Sequence, residues 1–214
     1  MRLRGRSSLT AAIEVAVAVS CILVYIWRFR EAYSLSWIPI ALGLLISHAV
    51  RRETPAAIGF GPAGWREAAR KMAPWVAVLI AVLVGVGLWF ETIRPASFER
   101  RLWNLARYLP WGVVQQYLLN GYFLNRLQVV FGAGKERRTL AVTVLLFTGA
   151  HAPNPFLMAV AAAGGWICGR LYLRYRNLFV LGLAHGLVGF TLHLVTPLWL
   201  SRGFYAGPRY FEFY

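Results

Sequence analysis

Apolar positions along this chain form continuous runs, not the alternating or one-sided stripes of a soluble domain. The stretch from Ala73 to Phe90, APWVAVLIAVLVGVGLWF, carries no charge at all. A bilayer's hydrocarbon core of about 30 Å is crossed by about 20 helical residues, and runs of this kind recur. They predict membrane-crossing helices at about 9–27, 34–50, 73–91, 107–131, 139–152, 155–175 and 178–200. The fifth is short, because Pro153 and Pro155 in HAPNPF end it and open the sixth. Proline lacks the amide hydrogen that continues a helix but suits a first turn, so these two spans form a tight hairpin. A membrane barrel would alternate polar and apolar residues in short segments, which this chain does not do. The expected fold is all-α, a polytopic transmembrane helix bundle of about seven spans, with residues 1–214 forming one domain and no internal repeat.

Composition supports lipid as the solvent: 58% of residues are apolar and the mean hydropathy is +0.53, high for a domain that must cover its core with polar side chains. The net charge of +15 raises the question of nucleic acid. Its Lys and Arg residues, however, lie in short segments between spans and form no single stripe, so no nucleic-acid partner is expected. They report topology. With the N-terminus inside, fifteen of the 23 fall on the inner side, among them Arg2, Arg4, Arg6, Arg51, Arg52, Arg126 and Arg170, against Arg94, Arg100, Arg101 and Arg107 outside. The excess of inner positive charge predicts a cytoplasmic N-terminus and an exterior C-terminus in a bacterial-type cytoplasmic membrane. The basic start with its apolar run resembles a signal peptide, but the run is longer and further spans follow, so it reads as a retained first helix. Cys21 and Cys168 lie inside apolar runs and read as small buried hydrophobes. The segment 51–72 reads either as an amphipathic helix along the inner headgroups or as a solvated connector. The aromatic tail RGFYAGPRYFEFY reads as an interfacial anchor without chemistry.

Polar groups inside such spans are costly and need a partner or a purpose. The fourth span reads YLPWGVVQQYLLNGYFLNRL: Gln116 and Asn120 share a face with Gly112, and Gln115 lies on the adjoining face. Phe147 and His151 are one turn apart at the end of the fifth. In the seventh, His185, Gly189 and His193 recur every four residues along one stripe. Gly182 and Gly186 there, with Ala161, Gly165 and Gly169 in the sixth, predict close helix packing around the histidines. Each Gln or His alone is ordinary helix-to-helix glue. Together they predict one buried polar pocket facing Gln115, His151 and His185. His48, beside Arg51 and Arg52, is expected only to face the interface.

In these residues the chain resembles the CPBP family of intramembrane proteases, which includes CAAX prenyl endopeptidases and bacteriocin-processing or immunity-type membrane proteins. The resemblance covers roughly Trp111–Gly189, in a core of about 105–200. The family's motifs run Glu-Glu-x-x-x-Arg, Phe-x-x-x-His and His-x-x-x-Asn. Here they read Gln115-Gln116-Tyr117-Leu118-Leu119-Asn120, Phe147-Thr148-Gly149-Ala150-His151, and His185 with Gly189 in the asparagine's place. The resemblance implies an endopeptidase acting on a membrane-embedded or lipidated peptide. It would place the water-activating role on Gln115, the positioning or metal-binding roles on His151 and His185, and the oxyanion role on Gly189.

Two of those roles fail on chemical grounds. An amide is neutral and is no useful proton acceptor near pH 7, and glycine has no side-chain donor. The arginine's position holds Asn120, so charges of both signs have gone together, leaving a neutral network and no unpaired buried ion. The chain contains no aspartate, and of its glutamates only Glu14 lies well within an apolar run. Two readings remain: hydrolysis through a variant site in which His151 or His185 takes the proton, or a pseudoprotease that binds membrane peptides or a partner without cutting them. His151 and His185 are also the candidate ligands for a divalent metal such as zinc. That pair is short of the three protein ligands usual in a catalytic zinc centre, and His193 sits two turns from His185, about 12 Å away along a helix.

Overall fold

A computed structural model describes residues 2–33 and 35–212, with side chains from Ser7 onward. Arg2, Arg4 and Arg6 of the charge count, Ser34 at the start of the second predicted span, and Phe213 and Tyr214 of the tail therefore lie outside the described side chains. Every regular element among the described residues is helical. α1 (Arg2–Val24) continues into a π-helical turn, Tyr25–Phe29, and is followed by α2 (Ile38–Val50) and the single turn α3 (Pro55–Ile58). Next come α4 (Trp65–Trp89), α5 (Phe98–Gln116), a π-helical stretch Tyr117–Leu124 and α6 (Asn125–Phe131). α7 (Glu136–Gly149), α8 (Pro155–Tyr175), α9 (Leu178–Val195) and the short α10 (Leu198–Ser201) complete the set.

The seven predicted spans correspond to seven rods, because α5, the π stretch and α6 run without a break. Four rods are long and apolar enough to cross a bilayer: Ser7–Phe29, Trp65–Trp89, Pro155–Tyr175 and Leu178–Val195. Ile38–Val50 is a shorter apolar helix. Large apolar side chains point outward, Trp75 and Trp89 at 77% and 82% exposure, as lipid-facing surfaces require. The rods begin where a polar side chain replaces a missing helical partner. Ser97 accepts from Arg100 N, Asn154 from Leu157 N and Asn177 from Val180 N, at 3.3, 3.0 and 3.1 Å. Pro74 and Pro110 lie inside α4 and α5, which membrane helices tolerate where neighbours take up the freed carbonyl.

Close packing fixes the centre. A Cβ on Gly112 would come within 2.6 Å of Gly186 N, one on Gly186 within 2.7 Å of Tyr108 O, and one on Gly182 within 2.5 Å of Val113 Cα. α5 and α9 thus meet backbone to backbone, as the glycines predicted. Gly165 of α8 faces the side chains of Phe147 and Val144 of α7, both 3.6 Å from an added Cβ, an ordinary packing distance.

Cys21 is exposed on α1, not buried as expected, and three further expectations need correction. The segment 51–72 is not a separate helix along the headgroups, and its largely exposed course is that of a connector held at definite points. Its last residues, from Trp65, are the first turns of α4, and the rest is clamped to the α8–α9 turn: Leu178 N donates to Gly59 O (2.8 Å), Tyr172 Oη to Ile58 O (2.6 Å) and Asn177 Nδ2 to Gly61 O (3.1 Å). The tail is more than an interfacial anchor. Gly207 N donates to Ala152 O (2.8 Å), and Asn154 Nδ2 to Ser201 O and Tyr205 O (2.9 and 3.1 Å), so the tail folds back over the α7–α8 turn.

The last correction concerns His48, which is buried, not interfacial. Its Nδ1 lies 2.6 Å from Glu53 Oε2 and its Nε2 3.0 Å from Tyr117 Oη. Beside it, Arg126 is fully enclosed, donating to Glu14 (2.8 Å), Glu53 (2.7 Å) and Ser47 Oγ (3.0 Å). Arg51 shares Glu14 at 3.0 Å. Two of the charges counted as inner-loop signals are therefore half of a compensated ion network joining α1, α2 and α6. In Glu53, burial works to raise the carboxyl's pKa, but the hydrogen bonds from Arg126 and His48 and the arginine's charge outweigh it, holding the group below 4.5.

Candidate functional site

Between α1, α2, α4, α5, α7, α8, α9 and the returning tail lies a chamber of about 2000 Å³. Its wall is mostly aliphatic and aromatic. Gln115, Phe147, His151, His185, Gly189 and His193 all line it, as do Tyr108, Tyr117 and Cys168. Gln115, His151 and His185 therefore border the same cavity, although its wall is far more apolar than the polar pocket expected for them. No aspartate or glutamate is among its lining residues.

Each side chain is placed by its rod. Four-residue spacing puts Tyr108, Gly112, Gln116 and Asn120 on the face of α5 and its π continuation that meets α9. Gln116 and Asn120 are fully buried there. Asn120 Nδ2 donates to Gln116 Oε1 at 2.7 Å, and Gln116 Nε2 donates to His185 Nδ1 at 2.9 Å. A nitrogen that accepts carries no proton, so in this arrangement neutral His185 bears its hydrogen on Nε2. The π-helical stretch begins one residue after Gln116. Such widened turns interrupt the usual ladder and recur at functional sites.

His151 follows α7 directly, and its Nδ1 lies 2.6 Å from Phe147 O. A carbonyl only accepts, so Nδ1 is the donor and the lone pair of neutral His151 is on Nε2. The Phe147 ring packs edge-on against the imidazole, with centroids 4.7 Å apart, which explains the Phe-x-x-x-His pairing: the phenylalanine supplies both the carbonyl that fixes the tautomer and the ring that fixes the plane. Of the two imidazoles, one presents an acceptor and the other a donor.

The remaining predicted residues separate. Gly189 faces the Tyr108 ring, whose Cδ1 would be 3.3 Å from an added Cβ, so an aromatic ring abuts the position where the family has asparagine. His193 is turned away from the other two histidines: Arg94 Nη1 lies 3.4 Å from its Nδ1, and the rings of Tyr108 and Phe204 flank it at 5.5 and 5.9 Å. The donor set does not fit a catalytic zinc ion. Among the described residues no three His, Cys, Asp or Glu side chains gather as a metal site, and His185 offers an N–H where a ligand needs a lone pair. Tyr108 escaped the sequence reading although its four-residue spacing to Gly112 was visible. Phe204 and Tyr205 escaped it because only folding brings the tail to the chamber.

Membrane-crossing rods around a chamber that holds two imidazoles and a glutamine define an integral membrane protein with polar side chains held between its helices. The chain belongs to the family described as Type II CAAX prenyl endopeptidase Rce1-like, whose model matches residues 73–191, from the third span to just beyond Gly189. No curated protein and no solved structure matches the chain.

Proposed function

We propose that this protein takes a membrane-embedded or lipidated peptide into the chamber and hydrolyses it through a variant site in which His151 is the base. The observation that carries this reading is the opposite setting of the two imidazoles. Water gives a proton to His151 Nε2 as its oxygen attacks the peptide carbonyl carbon. The developing oxyanion accepts hydrogen bonds from His185 Nε2–H and the Gln115 amide. The proton then passes from His151 to the leaving amine as the C–N bond breaks. Gln116 and Asn120 act through His185, as positioning residues. The orientation that goes with this reading has the N-terminus on the cytoplasmic side.

Purified protein in phosphatidylcholine nanodiscs, incubated with farnesylated peptides and followed by mass spectrometry, tests it. His151→Ala is expected to lower turnover by about 10²–10⁴-fold, the usual contribution of a general base. Equal product from both proteins would remove His151 from the mechanism.

One observation favours a second reading, a pseudoprotease that holds the peptide or a partner protein without cutting it: no carboxylate lines the chamber. On that reading the unmodified protein binds peptide without turnover, and the Gln115→Glu, Asn120→Arg, Gly189→Asn triple variant gains cleavage. Turnover by the unmodified protein excludes it.

A further inference from the structure

Arg94, Arg100 and Arg101 have no part in the chemistry proposed for His151 and His185, and the orientation proposed above sets them on the side where arginine is disfavoured. They gather at the His193 end of the chamber. Arg94 is held firmly but not neutralised. Its backbone N donates to Leu194 O (2.9 Å), and its guanidinium reaches Thr196 O (3.0 and 3.3 Å), Ser201 Oγ (2.9 Å) and the neighbourhood of His193 Nδ1. Each of these partners is an uncharged side chain or a carbonyl. Arg101 spends only its Nε, on Ala96 O (3.3 Å). Among the described residues none of the three forms an ion pair, and the nearby carboxylates in sequence, Glu91 and Glu99, are exposed.

These arginines line a separate recess of about 180 Å³, with Asn104, His193 and Phe190. It is continuous in its walls with the chamber, since Asn104 and His193 line both. Guanidinium groups present a planar fork of donors that matches the oxygens of carboxylate and phosphate, and here Arg94 and Arg101 are half-buried and Arg100 is exposed at the rim, cations without a counter-ion that an anion would complete. We infer that this recess is an anion subsite, taking the carboxylate or phosphate of an amphiphile whose apolar part occupies the chamber. The inference rests on the reading above that the chamber holds a ligand, and it adds that the ligand carries a negative terminus in the recess that Arg94, Arg100 and Arg101 line.

Binding, not cleavage, tests it. The protein is placed in phosphatidylcholine nanodiscs and titrated with a farnesylated peptide bearing a free C-terminal carboxylate, with the same peptide as its C-terminal amide, and, in a third arm, with phosphatidylglycerol. The expected result is a preference of about ten- to a hundredfold for the acid over the amide, the scale of a charge-assisted hydrogen bond, which the exposed-site variant Arg100→Gln/Arg101→Gln removes while the amide binds as before. If neither peptide binds but phosphatidylglycerol is retained in an arginine-dependent way, the subsite stands with phosphate as its anion and the peptide reading of the chamber falls. If both peptides bind equally and the variant changes no arm, the chamber reading stands and the anion subsite is wrong.

Discussion

At the scale of single residues, the site is a matter of which nitrogen carries a proton. Gln116 fixes His185 and the Phe147 carbonyl fixes His151. Gln116→Leu therefore is expected to release His185 from its Nε2-protonated tautomer, read directly in the imidazole ¹⁵N shifts, and to cost about 1–3 kcal/mol for the buried partners left unpaired. Glu53 gives a prediction with a sign. Its carboxyl lies below 4.5 in the folded protein, so the stability it contributes is fully present above the unfolded value and is lost as pH falls through the folded one. Glu53→Gln should flatten the acid limb of a melting-temperature profile while leaving its slope above pH 6 alone. The residues of the chamber were legible because each recurs at helical spacing within one span. His48, Glu53 and Arg126 were not, because their partners are 73 and 78 residues apart in sequence, and nothing local distinguishes a paired arginine at a helix end from a topological one.

Elements carry a different part of the argument. Span number and the α7–α8 hairpin were readable from apolar run lengths and two prolines, and the α5–α9 contact from glycines. The π stretch was not, since its backbone pattern has no compositional signature: Gln116 before it meets His185 of α9, Asn120 within it lies against Gly169 of α8, and Tyr117 and Tyr122 reach His48 and Ser47 of α2. Gly186→Ala is expected to force α5 and α9 apart, at about 1–3 kcal/mol for overpacking, and to weaken any ligand binding in the chamber through the loss of the Gln116–His185 contact. Gly85→Ala, where an added Cβ meets nothing within 4 Å, is the matched control. Equal melting temperatures for both variants would contradict the packing described.

For the whole molecule, the first two helices lie outside residues 73–191 yet are bound to the family core by Arg126, whose partners Glu14 and Glu53 belong to α1 and the segment after α2. Arg126→Met removes the enclosed cation that bridges Glu14 and Glu53, leaving Arg51 on the first and His48 on the second, and a loss of about 3–5 kcal/mol is expected, measured as a lowered unfolding midpoint in detergent. A variant that unfolds at the same midpoint as the parent would show that α1 and α2 are held by apolar packing alone. The chain Asn120–Gln116–His185 has a further consequence, because it has a direction. Rotating both amides by half a turn would leave every atom position nearly unchanged while exchanging donor for acceptor along the row, so that His185 would offer the chamber a lone pair in place of a hydrogen. What opposes that reversal is the far end: Asn120 Oδ1 is the one atom of the row without a hydrogen-bond partner among the described residues, and a solitary carbonyl oxygen is easier to bury than an amino group with its hydrogens idle. A single orphaned oxygen, one turn beyond Gln116, thereby sets the electrical sense of the chamber wall at His185.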